Sequence, residues 1–223
     1  MKPRLLDLYC GAGGASAGYV AAGFDVLGVD INPQPLYPYE SVQADALEFL
    51  AEHGGEYDVI HASPPCQAFT TMSNRFRGAG GQADAWPDLI EPTRDLLVSI
   101  GKPWVLENVV GARSRMLHPF TLHGGMFGLR VDRPRLFDSS EFVMVPTAPR
   151  VRNPVGVYGK AHDGRRLFTR SDGTNQYAAS TLTEAQDAMG MPWADWNGCR
   201  EAIPPAYTEF IGAQLLDRLE AAA

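Results

Sequence analysis

Cysteine is scarce in this chain: only Cys10, Cys66 and Cys199 are present, an odd number at wide spacing with no CxxC pair. That argues against a disulfide framework and a zinc site, and it fits a reducing cytoplasm; no metal is expected. Also missing is any apolar run long enough to span a bilayer. The first residues lead straight into a strand pattern, so neither a membrane protein nor a secretory signal is expected. There is no internal repeat and no low-complexity tract. The GKS/T signature of a polyphosphate-binding loop is absent as well. Positive charge is in short supply, with a formal net charge of −7. Its distribution matters more than its sum. From Arg113 to Arg170 there are 11 Lys/Arg against 4 acids, so that segment carries +7 and the remainder −14. A basic segment on an acidic body fits a phosphate-facing surface; a solvated loop whose arginines pair locally is the alternative.

What is present describes an ordinary globular domain, with 45% hydrophobic and 20% charged residues over 223 positions. The length allows one domain, or one domain with a small appendage. Strand patterns at Arg4–Tyr9, Phe24–Asp30, Asp58–Ala62 and Trp104–Leu106 alternate with helical ones at Ala15–Ala22, Ala44–His53 and Asp88–Ile100. Two further helices are expected at Leu182–Met191 and Tyr207–Leu219. Such alternation predicts an α/β fold, a Rossmann-like doubly wound parallel sheet. Right-handed crossovers then bring Gly11, Asp30, Cys66 and Glu107 to one edge, at the strand C-termini.

Cys66 is the most informative residue. It follows a strand pattern and two prolines, Ser63-Pro64-Pro65-Cys66-Gln67, and prolines restrict the backbone so that the thiol has a defined direction. A buried small hydrophobe is the competing reading of any one cysteine. Residues 69–86 carry Arg75, Arg77 and a glycine cluster without an apolar period, and are expected to form a mobile loop beside the thiol. Cys10-Gly11-Ala12-Gly13-Gly14 leaves a strand and opens a helix, where backbone can approach a ligand closely. Asp30, ending the next strand, can accept both hydroxyls of a ribose. The pair suits an adenosine ligand without a polyphosphate, S-adenosylmethionine as readily as NAD.

Taken together, Asp7 to Gly14, Ser63-Pro64-Pro65-Cys66-Gln67, Glu107-Asn108-Val109, Arg133-Pro134-Arg135 and Ile203-Pro204-Pro205 resemble the DNA cytosine-5 methyltransferase family in order and approximate spacing. So does Leu182-Thr183-Glu184 with Met189-Gly190-Met191-Pro192. The resemblance covers nearly the whole chain except about 139–180. It implies a class I S-adenosylmethionine-dependent methyltransferase acting on C5 of cytosine in DNA through a covalent cysteine adduct. By resemblance the catalytic residues are Cys66, Glu107, Arg133 and Arg135. Cofactor binding falls to Asp7, Tyr9, Gly11, Gly13, Gly14, Asp30, Ile31, Asp45, Ala46 and Pro64, although an acid before a helix, such as Asp45, is also an ordinary N-cap. Substrate binding falls to Pro65, Gln67, Asn108, Arg75 and Arg77. DNA is the expected partner, with no obligate protein partner. The implied organisation is a catalytic and cofactor-binding part at 1–138, a reduced target-recognition insert at 139–180, and a C-terminal segment at 181–223 that returns to the first part.

Two departures from the family stand out. Only about forty residues fill the place of the usual recognition region, fewer than a domain of typical size. The family's Gly-Asn before the closing Pro turn is replaced by Arg200-Glu201, which leaves the cofactor surroundings open at that point. The rival readings are the same chemistry on a free cytosine nucleotide or single-stranded DNA, and a catalytically silent DNA-binding relative. A NAD-dependent dehydrogenase would leave the Cys66 and Glu107 motifs unexplained.

Overall fold

A computed structural model describes residues 2–66, 69, 87–159, 163–169, 173 and 175–222. Among them a seven-stranded sheet has the order β3-β2-β1-β4-β5-β7-β6. Its strands are β1 (Arg4–Leu8), β2 (Asp25–Asp30), β3 (Glu40–Gln43), β4 (Val59–Ala62), β5 (Trp104–Val109), β6 (Phe120–Leu122) and β7 (Arg135–Ser139). The first five run parallel, and β7 is antiparallel to both β5 and β6. Helices α1 (Gly14–Ala22), α2 (Ala46–His53) and α3 (Ile90–Ile100) connect the parallel strands.

Strand periodicity builds two cores from adjacent residues. Leu6, Leu8, Ile60 and Leu106 pack with Leu50 of α2 and Leu97 of α3. Leu5, Val26, Val59 and Val105 face the other way, against Tyr19 of α1 and Tyr207, Ile211 and Leu215 of the C-terminal helix. That helix, Pro205–Ala222, follows α4 (Leu182–Met189) and α5 (Trp196–Glu201) and is α6 here. Strands buried on both faces read as continuous apolar runs, which is why β1, β4 and β5 are recognisable in the sequence.

Several elements depart from the sequence expectation. The strand expected to end at Leu106 continues through Glu107 and Asn108 to Val109. Edge strand β3 is exposed at every residue and carries no apolar alternation. In the stretch where the apolar pattern degrades, β8 (Val155–Gly156), β9 (Arg166–Thr169) and β10 (Asn175–Ala178) form a second sheet, order β8-β10-β9. Beneath it Val157, Ala179, Ala185, Met189, Met191 and Cys199 make a third apolar cluster. No helix among the described residues is long and apolar enough to cross a membrane.

Candidate active site

The sheet edge places the two halves of the site at the ends of neighbouring strands. After β1 the chain turns through Tyr9, at φ 59°, and Gly11, at φ 49°. A left-handed tyrosine is strained, and such strain persists only where its surroundings hold it. Here the Tyr9 hydroxyl hydrogen-bonds Thr93 Oγ1 on α3 at 3.0 Å. Gly11 N–H donates to Asp30 Oδ2 at 3.1 Å, and Asn32 N–H donates to Asp30 Oδ1 at 2.9 Å. The Asp30 carboxylate is therefore fixed in orientation by two backbone donors.

Of the three loop glycines, Gly11 alone fronts open space, since a Cβ there would meet nothing within 4 Å. A Cβ on Gly13 would come 2.9 Å from the Tyr37 ring, and one on Gly14 would come 2.3 Å from the Ile203 carbonyl. The bareness of Gly13 and Gly14 serves packing within the protein, so their expected part in holding a cofactor reduces to backbone. Ala46 is likewise buried in the core. Asp45 caps α2, its Oδ1 accepting from Leu47 N–H and Glu48 N–H. Ile31 is 62% exposed beside Asp30. Open space at Gly11, a fixed carboxylate and a neighbouring apolar side chain are a donor and acceptor set that fits an adenosine-bearing ligand.

Asp7 lies beneath this loop, wholly buried, with Ser16 Oγ donating to its Oδ2 and no hydrogen-bond partner at Oδ1. Ser16 Oγ also hydrogen-bonds the Tyr37 hydroxyl at 2.7 Å. Burial, the largest influence, raises the Asp7 pKa to about 7; nearby Asp30 and Glu107 push the same way and the Ser16 hydrogen bond opposes them. Asp7 thus supports the loop from below and does not face the open space.

The second half forms where β4 and β5 end. Their register pairs Ala62 with Leu106, which sets Ser63 opposite Glu107. Asn108 Nδ2 donates to the Pro64 carbonyl at 2.9 Å. Asn108 is buried and so engaged, which makes it a clamp on the proline loop in place of the expected contact with substrate. Cys66 is partly exposed on that loop, whereas Cys10 and Cys199 are buried. Burial and the Glu107 charge raise the Cys66 thiol, and Arg135 and Arg133 lower it, with the raising influences prevailing. The positive charge of the arginine pair is outweighed there by burial and by Glu107.

Glu107 is itself buried. Desolvation raises its carboxyl pKa, opposed by Arg135, by hydrogen bonding from Ser63 and by Arg133. Arg135 Nε lies 3.1 Å from Glu107 Oε1. The contact is an ion pair without hydrogen-bond alignment, and Oε1 has no hydrogen-bond partner. Arg133 behaves differently from the expectation. At φ 30° and 1% exposed, it donates from Nε to the Ala202 carbonyl at 2.7 Å, from Nη1 to Val157 and from Nη2 to Arg200. Its guanidinium joins the C-terminal segment to this edge of the sheet, and only its charge reaches Cys66 and Glu107.

Gln67, Arg75 and Arg77 lie outside the described residues. Several arginines of the basic segment are already paired: Arg115 with Asp88, Arg130 with Glu184 and Arg150 with Asp132. Arg152 and Arg166 are exposed. Sequence reasoning missed His61, Ser63 and Trp193. The Trp193 Nε1–H caps the Ala12 carbonyl of the glycine loop at 2.8 Å. A histidine inside an apolar strand run was the one available signal among these.

No family model matches the chain. It is 29% identical over 185 residues to the Type II methyltransferase M.AgeI of Thalassovita gelatinovora, covering 74% of this chain and 41% of that protein. It is 29% identical over 129 residues to the Type II methyltransferase M.HgiDI of Herpetosiphon aurantiacus, covering 52% and 40%. The chain thus spans about two fifths of each relative. Among solved structures it superposes on a candidate DNA modification methyltransferase of an E. coli prophage with TM-score 0.65, at 17% identity over 98% of this chain and 100% of that one. On S. pombe Dnmt2 methyltransferase the TM-score is 0.62, at 14% identity over 98% and 99%. With a central sheet in the order β3-β2-β1-β4-β5-β7-β6 and helices on both faces, this chain has the fold of the class I S-adenosylmethionine-dependent methyltransferases.

Proposed function

We propose that this protein is a DNA methyltransferase that modifies C5 of cytosine through a covalent adduct at Cys66. One observation supports the reading: the β4–β5 register and the Asn108 clamp hold the partly exposed Cys66 within the electrostatic reach of the Glu107–Arg135 ion pair. A thiol beside a carboxyl of raised pKa supplies a nucleophile and an acid in one place.

The residues then divide the work. Cys66 Sγ, deprotonated as the base enters, adds to C6 of cytosine. The electron density that this displaces collects at N3, where Glu107 in its protonated form neutralises it. C5 becomes nucleophilic. S-adenosylmethionine, when bound, supplies an electrophilic methyl group on its sulfonium. Asp30 would hold its ribose, and the open face at Gly11 and the Ile31 side chain would hold its adenosine. Loss of the C5 proton to water then re-forms the C5–C6 double bond as the C6–S bond breaks, which returns Cys66 as thiolate, and N3 gives its proton back to Glu107. Arg135 steadies the Glu107 carboxylate and favours the thiolate as it forms.

Residues 139–180, with their small sheet, we assign to recognition of DNA. The relatives' description as Type II methyltransferases supports DNA as the substrate class. Incubating DNA with the protein and labelled cofactor, followed by nucleoside mass spectrometry, tests the reading. It expects 5-methylcytosine. Label in N4-methylcytosine or N6-methyladenine would overturn the cysteine mechanism, and label confined to free dCMP would overturn DNA as substrate.

A further inference from the structure

His61, itself wholly buried, lies in the middle of a polar chain that the reaction above does not use. On one side its Nδ1 is 3.0 Å from the Tyr19 hydroxyl of α1. On the other its Nε2 is 2.9 Å from Ser63 Oγ, one residue past the end of β4. Burial lowers the imidazole pKa to about 3, so the ring is neutral at any working pH, with one nitrogen donating and one accepting. Ser63 in turn follows Ala62, the partner of Leu106, and so lies next to Glu107, whose carboxyl pKa it lowers through its hydroxyl. A serine hydroxyl has a single proton. When Glu107 is ionised it can only accept, so Ser63 must donate to it. Ser63 Oγ must then accept from His61 Nε2–H, and His61 Nδ1 must accept from the Tyr19 hydroxyl. The three hydrogen bonds have one consistent direction, from helix α1 to the carboxylate.

We propose that His61 is a positioning residue for Glu107: as the neutral Nε2–H tautomer it holds the Ser63 hydroxyl as a donor to that carboxylate. The role in catalysis rests on the reading of Glu107 given above; the relay itself does not. The hydrogen bonds to the His61 ring come from the uncharged Tyr19 and Ser63. Glu107 is influenced by Arg135 and Arg133 and acts in turn on Cys66 and Asp7. These neighbours are unchanged by substitution at His61, so a shift in Glu107 on such substitution reports the relay.

Imidazole ¹⁵N chemical shifts in the free protein should show a bare Nδ1 and a protonated Nε2 from pH 5 to 8. An Nδ1–H tautomer, or an imidazolium at pH 5, would overturn the proposal. The Glu107 carboxyl ¹³C titration gives a second readout that needs no turnover. Ser63→Ala and His61→Phe should each weaken the acid by about tenfold, the size expected for a lost hydrogen bond to a charged group. The double variant should shift it no further, and His61→Gln, whose amide can still donate to Ser63, should restore most of it. Additive shifts, or a His61 variant that lowers Tm and leaves Glu107 unmoved, would mean a purely structural role. If His61→Phe does not fold, His61→Gln and Ser63→Ala carry the comparison. In methylation assays the relay variants should lower kcat and leave KM for DNA and cofactor within about twofold. A wild-type protein that forms no 5-methylcytosine would refute the reaction, while the two spectroscopic tests would still decide the relay.

Discussion

Cys66 sits between opposing charges, and the balance sets when it can react. Glu107 and burial hold it as a thiol, while Arg135 and Arg133 pull the other way. Replacing Glu107 by Gln removes a negative neighbour without changing size, so the thiol pKa should fall. Alkylation of Cys66 at pH 8 should then be about tenfold faster in Glu107→Gln, the equivalent of roughly one pKa unit. Peptide mapping separates this site from the buried Cys10 and Cys199; an unchanged rate would show that Glu107 does not restrain the thiol. Asp7 offers a different test. A carboxyl whose pKa is raised to about 7 on folding binds its proton more tightly in the native state. Its protonated form is favourable at low pH, and stability is lost as pH rises from about 4 to about 7. Asp7→Asn should therefore gain on wild type with rising pH, by up to about 4 kcal/mol above pH 7. Urea denaturation at pH 5 and pH 8 measures the difference, and an equal effect at both values would refute it.

Among the elements, helices α1 and α6 pack tightly against each other, and small residues allow it. A Cβ on Gly18 would come within 2.1 Å of both the Pro205 carbonyl and Thr208 Oγ1. Gly18→Ala should cost about 1–3 kcal/mol from overpacking, measured by the denaturant midpoint. Gly55→Ala, where a Cβ would meet nothing within 4 Å, should change stability by less than about 0.5 kcal/mol. The same contrast explains what the sequence makes legible. Strands β1, β4 and β5 announce themselves because both faces are buried, and Gly11 and Asp30 because special residues end those strands. Strand β3 stays hidden because an exposed edge needs no pattern, and β8 to β10 because strands of two to four residues are too short to show one. Asn108 and Arg133 illustrate a related limit of a sequence. By residue type Asn108 suits substrate contact and Arg133 a catalytic part, but main-chain carbonyls, invisible in a sequence, claim their donors first.

At the scale of the whole molecule, the acidic body and the basic segment divide the surface unevenly. Pairing within the protein already engages Arg115, Arg130 and Arg150, which leaves exposed Arg152 and Arg166 as better phosphate contacts. If both neutralise phosphates, the joint variant Arg152→Ala/Arg166→Ala should weaken DNA binding and reduce the slope of log affinity against log salt by roughly 2. Fluorescence anisotropy across a salt series checks this, and an unchanged slope would move the DNA-binding face elsewhere.

The Arg133 clamp has a consequence for how this molecule can change over generations. It grips the carbonyls of Arg200 and Ala202, and it is blind to the side chains those residues carry. Selection can therefore hold the path of the closing segment fixed while its lettering drifts, and Arg200-Glu201 can stand where the family that the sequence resembles has Gly-Asn. Exchanging that pair for Gly-Asn should lower Tm far less than Arg133→Met, which leaves three carbonyls without their donor. Equal losses would mean that the segment's own side chains hold it in place.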